Sequence, residues 1–364
     1  MPAYLLAAAV ATIAIGELRT YRDWIVGCDN QHACHATTLI PEPTEAEIAT
    51  GDEPSADNLF NLSLRREGGM QDQPRMRLLA CYLCDSETGR EPALTRELRV
   101  RGKDGTVVER QVFSAAEAAR LVSDDGISIP ADGRLIGGLM RGDTLEAYDE
   151  EGRYLAAISL RGLNAAMRHI DENQHRSGNV TALVARGPGA AILIPPRPPS
   201  PFILVPPPSD RPPVRLPARE LAALQERYRC GTGGSGLPEA ASARLDESNT
   251  MLLLFANCSA YNGEGYVFLI GEDQSVRPAP VRLLPHDLQF ELPQVVSAYW
   301  DAKERRLHSF GRGRALADCG QEQAFAWDGE QFILVEEADM GECRGSIDYI
   351  TVYRRETAIR APRR

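Results

Sequence analysis

The sequence predicts a mainly β protein: two antiparallel β domains, sandwich- or barrel-like, each with a peripheral helix, joined by a proline-rich linker and stapled by disulfides. Three observations carry this. Short runs rich in Val, Ile, Tyr, Phe and Trp recur in both halves and are bounded by turn residues. A stretch from Pro195 to Pro213, reading PPRPPSPFILVPPPSDRPP, separates those halves. Eight cysteines fall as four successive pairs: Cys28 with Cys34, Cys81 with Cys84, Cys230 with Cys258, and Cys319 with Cys343. The expected organisation is a signal peptide over 1–16, an N-terminal β domain over 17–187, the linker over 188–215 and a C-terminal β domain over 216–364.

The chain opens with an apolar run from Leu5 to Ile15, the length of a signal-peptide core and too short to span a bilayer. Ala14 and Gly16 supply the small residues for cleavage after Gly16, although no Lys or Arg precedes the run. A buried N-terminal strand or helix is the alternative. No other stretch is long and apolar enough to cross a membrane, so no transmembrane segment is expected in the mature chain.

Trp24–Val26, Asn61–Leu64 and Met76–Leu83 read as strands, with the acidic stretch Pro41–Asp57 as a solvated loop. Glu97–Arg101 and Thr106–Phe113 flank the turn Lys103-Asp104-Gly105. Leu145–Tyr148 and Arg153–Ile158 flank Glu150-Glu151-Gly152, so each pair reads as a hairpin. Ser114 with Glu117 forms a capping box ahead of a helix over Ala115–Val122. Leu160, Leu163, Met167 and Ile170 repeat at helical spacing, which predicts an amphipathic helix over Leu160–His175. The proline run then predicts a semi-rigid polyproline-II spacer. Pro217 starts a helix whose Leu221, Leu224 and Tyr228 share a face up to Cys230. Gly231–Gly236 reads as a flexible loop. Strands follow over Met251–Asn257 and Tyr266–Ile270. Val295–Trp300 is expected to pair with Arg306–Phe310. Phe325–Trp327 turns through Asp328-Gly329 into Phe332–Val335, and Ile347–Tyr353 reads as the closing strand.

The net charge of −11 argues against nucleic acid as partner, and none is expected, since phosphate binding needs a dense basic face. No P-loop, dinucleotide fingerprint, nucleophile elbow or zincin motif is present, and no cofactor is expected. The six histidines are scattered, and dispersed carboxylates could form an acid pair only in space. An even cysteine count in an exported chain reads as a disulfide framework. Three alternatives stand for the first four. They could form a thiolate zinc site, with His32 and His35 as spare ligands. Cys81-Tyr82-Leu83-Cys84 could be a redox motif, although no thioredoxin-like unit follows it. The pairing could also be exchanged between the two pairs. The segment nearest to a site is Gly311–Gly320, where Arg312 and Arg314 lie between glycines and could clamp a carboxylate or phosphate of a partner. The competing reading is a turn in which Asp318 and Arg314 pair with each other.

These residues also carry a resemblance. Tyr21-Arg22-Asp23-Trp24, Cys28-Asp29-Asn30 and Cys34 resemble the N-terminal signature of the bacterial Domain of Unknown Function 1176 family. Asn257 to Asn262 resembles its middle motif. Gly311–Gly320, Trp327-Asp328-Gly329 and Glu342-Cys343-Arg344-Gly345 resemble its C-terminal block. The N-terminal half, ending Ser159-Leu160-Arg161-Gly162-Leu163, is also similar to the invasion-associated locus B proteins, exported β proteins linked to host-cell entry. The resemblance implies the envelope of Gram-negative bacteria and supplies no catalytic residue.

The functional expectation is a periplasmic or secreted, non-enzymatic protein that binds an envelope protein or glycan, with Arg312, Arg314 and Asp318 as candidate contacts. An envelope hydrolase using dispersed carboxylates is the alternative class, and a thiol–disulfide protein using Cys81 and Cys84 a third. If the cysteines are fully paired, thiol titration of the denatured, unreduced chain will find essentially no free thiol. Two or more free thiols per chain, or stoichiometric zinc, would refute the pairing.

Overall fold

The structure, a computed structural model, describes residues 15–43, 45–50, 60–80, 94–123, 126–230, 237–282 and 294–361. It is mainly β and antiparallel, as the alternation of apolar and polar residues predicts. The first half runs β1 (Arg19–Tyr21), β2 (Trp24–Cys28), β3 (Cys34–Thr38), α1 (Glu45–Thr50), β4 (Phe60–Arg66), β5 (Arg75–Ala80), β6 (Glu97–Arg101), β7 (Val107–Val112), α2 (Ala115–Leu121), β8 (Val122–Ser123), β9 (Gly126–Ile129), α3 (Gly133–Arg141), β10 (Thr144–Tyr148), β11 (Tyr154–Ser159) and α4 (Leu163–Asn173). The second runs β12 (Phe202–Val205), α5 (Ala218–Arg227), β13 (Glu239–Arg244), β14 (Thr250–Ala256), β15 (Glu264–Ile270), β16 (Val276–Pro278), β17 (Val281–Arg282), β18 (Gln294–Val296), β19 (Tyr299–Asp301), β20 (Arg306–Arg312), β21 (Gly320–Trp327), β22 (Phe332–Met340), β23 (Ile350–Arg354) and β24 (Glu356–Ile359).

In the first half a seven-stranded sheet, ordered β1-β2-β3-β4-β5-β9-β8, and a four-stranded sheet, β11-β10-β6-β7, share one core. Trp24 lies fully buried there, and its indole donates to Ser159 O at 3.0 Å. The capping box forms as read: Ser114 Oγ accepts from Glu117 N, and Glu117 Oε2 accepts from Ser114 N. The amphipathic helix starts at Leu163 rather than Leu160, because Gly162 is left-handed (φ 104°) and packs against Tyr21 O, where no side chain fits. α3 was not expected. Asp132 caps it, and Leu135, Ile136 and Leu139 bury its face, but three glycines in one short stretch mask the helical signal.

In the second half a five-stranded sheet, β13-β14-β15-β16 with β18 on β15, faces a six-stranded one, β17-β22-β21-β20-β19 with β23 on β22. Met251, Leu253, Val267 and Leu269 from the first interleave with Leu307, Phe325, Trp327, Phe332 and Leu334 from the second. α5 lays Leu221, Leu224 and Tyr228 on the outer face of β14 and β15, the face its spacing predicts. It ends at Arg227, short of Cys230. The run over Val295–Trp300 breaks into β18 and β19, with Ser297 between them at φ 42°. β24, beyond the expected last strand, closes the chain order.

Three disulfides are present among the described residues: Cys28–Cys34, Cys230–Cys258 and Cys319–Cys343. The first joins directly paired residues of β2 and β3, which takes both cysteines out of the zinc reading. Cys81, Cys84 and the Gly231–Gly236 loop lie outside the described residues, as do positions 1–14 of the expected leader. Ile15 packs against two core clusters, and Gly16 donates its amide to Val352 O at 2.9 Å.

The proline-rich stretch departs from the polyproline expectation. Its apolar insert Phe202–Val205 is a strand, paired in parallel with β24. Four consecutive non-proline residues leave amides free to bond, and two apolar side chains, Ile203 and Val205, gain burial against Ala324, Ala326 and Val335.

The halves also meet directly. Ile25 and Leu39 share a cluster with Cys319, Met340, Tyr349, Ile350 and Val352. Asp23 accepts from Arg161, Ser159 and Arg344. Asp348 lies 2.7 Å from His35 Nε2 and 2.5 Å from Arg65, and His35 Nε2 is also 2.9 Å from Ser63 Oγ. Burial alone would raise the Asp348 carboxyl, but His35 and Arg65 outweigh it and hold the group well below the usual carboxylate range. Unfolded, the group titrates near ~3.9. The part due to Arg65 is therefore complete above that value and lost as pH falls toward the folded one. Burial lowers the His35 pKa, so at neutral pH the imidazole contributes a hydrogen bond rather than a charge. Asp348→Asn is expected to lower stability at neutral pH by about 2–3 kcal/mol and to flatten the acid limb below about pH 4, read by denaturant melts across pH. An unchanged acid limb would count against this.

Candidate functional site

The β20–β21 hairpin builds a concave surface among the described residues. Leu307 on β20, and Phe325 and Trp327 on β21, point into the core. The alternate positions therefore face out: Arg306, His308 and Phe310 on one strand, Glu322, Ala324 and Ala326 on the other. Register then lines up two rows across the sheet. Tyr299, His308, Ala324 and Glu336 form one, and Phe310, Glu322 and Ala338 the other. One alanine in each row, Ala324 and Ala338, leaves a hollow, and larger polar and aromatic side chains wall it. The result is a cavity of about 350 Å³, lined by Tyr299, Arg306, His308, Phe310, Glu322 and Glu336 among others. β12 covers the same face over Ala324 and Ala326.

The walls carry an uneven charge. Glu304, Glu322 and Glu336 face a single guanidinium, Arg306, which stands 3.8 Å from Glu304 and 3.7 Å from Glu336. Glu322 has no hydrogen-bond or ion-pair partner among the described residues. Water reaches it, yet protein surrounds it, and that enclosure together with Glu336 pushes its carboxyl above the ordinary value. Tyr299 stacks flat on His308, with ring centroids 4.7 Å apart and planes 6° from parallel. Burial holds the imidazole below its ordinary pKa and raises the Tyr299 phenol.

The loop following β20 holds the residues singled out from sequence. Arg314 and Asp318 pair with each other: Arg314 Nε donates to Asp318 Oδ1 at 2.6 Å, and Asp318, fully buried, also accepts from Gly345 N at 2.7 Å. Burial opposes ionisation of Asp318, but Arg314 and the Gly345 amide prevail and hold its pKa down. Tyr349 Oη donates to Ala317 O at 3.2 Å. Arg312 is held differently. Its backbone amide donates to Asn262 Oδ1 and its carbonyl accepts from Asn262 Nδ2. Its guanidinium donates to Tyr261 O and lies over the Phe310 ring, 5.5 Å from the centroid. Phe310 is itself a wall of the cavity, so the loop and the hollow are one continuous surface. Gly320 makes the turn possible: its φ is 142°, and a Cβ there would lie 2.1 Å from Gly311 O.

Sequence reading reached the loop and missed Tyr299, His308, Glu322 and Glu336. The alternation Arg306-x-His308-x-Phe310 was visible, but the register that sets it against Glu322 and Glu336 was not. His32 and His35 serve the fold: His32 Nδ1 lies 2.8 Å from Asn173 Oδ1, and His35 joins Asp348. Among the described residues no His, Cys, Asp and Glu group fits a metal ion.

A family model described as "Protein of unknown function (DUF1176)" matches residues 18–356. The chain belongs to the DUF1176 family. The match spans both halves and includes the whole hairpin surface. Uncharacterized protein YpfG of Escherichia coli (strain K12) is 25% identical over 342 residues, which is 89% of this chain and 88% of that one. No solved structure matches the chain. No helix of the described residues is long and apolar enough to cross a membrane.

Removing Arg314 strands a buried carboxylate, whereas removing Arg312 exposes only backbone and ring contacts. Arg314→Ala is expected to lower stability by about 2 kcal/mol, less than a fully buried pair would lose because the guanidinium is part-exposed. Arg312→Ala should cost well under half of that. Thermal and denaturant melts check both, and equal losses would be inconsistent with the geometry.

Proposed function

We propose that this DUF1176 protein is a non-enzymatic binding protein of the bacterial envelope, periplasmic or secreted, and that the hairpin cavity with the Arg312 end of its loop is where a partner, protein or glycan, engages. One observation carries the reading: a hollow of about 350 Å³ on an otherwise filled sheet face, walled by a stacked aromatic pair and by a carboxylate without a partner. A concave site with a flat aromatic wall and a few convergent polar groups is the default place for a ligand. The three disulfides of the described residues support maturation in an oxidising compartment. In this reading the chain has two domains, 17–187 and 216–364, and the second contributes the binding surface.

A second reading is hydrolysis at the same place. Glu322 and Glu336 line one hollow, and enclosure together with Glu336 raises the Glu322 carboxyl, the direction a proton-donating carboxyl needs. Affinity capture with the intact oxidised chain from an extracytoplasmic extract separates the two. Binding predicts that wild type retains a partner unchanged and that Tyr299→Ala and Arg312→Ala each lower retention by about fivefold or more while the chain stays folded at the assay temperature, as melts confirm. Retention equal in all three would refute the site. Cleaved glycan products that vanish in Glu322→Gln would replace binding with hydrolysis.

A further inference from the structure

The charge and shape of the hollow narrow what it takes. Three carboxylates surround it and one guanidinium answers them, at distances too long for a direct hydrogen bond. Glu322 is left over. Beside it the Tyr299–His308 stack offers a flat aromatic face, with Tyr299 54% exposed. The volume is at the low end for ligand pockets and admits one long side chain rather than a polymer.

We propose that the cavity receives a guanidinium, an arginine side chain presented by a partner polypeptide, with Glu322 as its carboxylate and the Tyr299 ring as its stacking surface. This rests on the binding reading above and deepens it. A guanidinium is planar and weakly hydrated, so it satisfies a carboxylate at its edge while its face lies on a ring. An ammonium would meet the charge and waste the flat surface. A neutral saccharide would use the ring and leave Glu322 uncompensated. An anion would meet three carboxylates.

The chain itself uses this combination elsewhere. Arg99 lies 3.9 Å above the Tyr148 centroid while its Nε donates to Glu97 at 2.5 Å. There Arg supplies the cation from within the fold. At Glu322 and Tyr299 the ring and carboxylate are present and the cation is not supplied by any described residue.

The test is calorimetric titration of the full, oxidised chain with the peptide acetyl-Gly-Arg-Gly-amide, its citrulline counterpart, and chitotriose as a neutral saccharide. The arginine peptide should bind at least about tenfold more tightly than the citrulline one, which keeps the shape and loses the charge. Glu322→Gln should weaken arginine binding by about tenfold with no loss of melting temperature, since that carboxylate has no partner to lose and is repelled by Glu336. Tyr299→Ala should weaken it about fivefold. Arg306→Gln should tighten it a few-fold by removing a competing cation.

Equal affinity for citrulline, or indifference to Glu322→Gln, overturns the proposal. Chitotriose binding that is lost in Tyr299→Ala but kept in Glu322→Gln overturns the guanidinium while leaving a binding site. Failure of every probe, together with partner capture indifferent to Tyr299→Ala, removes the binding reading as well.

Discussion

Asp23 sits out of water with both carboxylate oxygens engaged. Oδ2 accepts from Ser159 Oγ at 2.6 Å and from Arg161 Nε at 2.8 Å, both in the first half. Oδ1 accepts from Arg344 of the second half at 3.0 Å and from the Glu42 amide at 3.2 Å. Arg344 in turn donates to the Ile40 and Arg22 carbonyls. A buried carboxylate demands such a complement, and here the complement comes from both ends of the chain. The same seam holds the apolar cluster of Ile25 with Ile350 and Val352, and the Asp348 contact with His35 and Arg65. Cys343 and Arg344 follow β22 directly, so the seam also fixes the far end of the sheet that bears the cavity.

That sheet has two faces with opposite demands. The inner one is packed with Phe325, Trp327, Phe332 and Leu334, and Trp327 Nε1 finds Asp246 Oδ2 at 2.6 Å, which satisfies its one polar atom in the core. The outer one is divided. Where β12 crosses, Ile203 and Val205 cover small residues and the face is closed. Beyond it the side chains turn polar and aromatic, and the hollow opens. Loop rigidity on the Arg312 side derives from Cys319–Cys343 and the Asp318 pair, so binding there would order little that folding has not already ordered.

Much of this was legible in the residues. Hairpins at Lys103-Asp104-Gly105 and Asp328-Gly329, the capping box at Ser114, and the apolar faces of α4 and α5 all follow from local chemistry, and they appear where that chemistry puts them. The Asp318–Arg314 pair was also readable, being four residues apart beside a cysteine. What escaped was non-local. α3 was hidden by its glycines, one of which, Gly138, brings the helix so near β7 that a Cβ would strike Glu109. β12 was hidden among prolines, because its partner lies more than a hundred residues away. The cavity escaped for the same reason: a one-residue shift in register between β20, β21 and β22 would have sent Glu322 and Glu336 to the other face.

The pairing of β12 with β24 also sets an order of assembly. The first core is drawn entirely from residues between Trp24 and Leu183, so it can consolidate while the rest is still being made. β12 emerges next and waits, since its partner Glu356–Ile359 appears more than a hundred residues later. Arg344 and Asp348 arrive just before it. Until then Asp23 and His35 lie at an unfinished surface, and the prolines on either side of β12 keep a bare apolar strand from pairing with a neighbour's edge. In chain order, the prolines guard a strand that stays single until its distant partner is made.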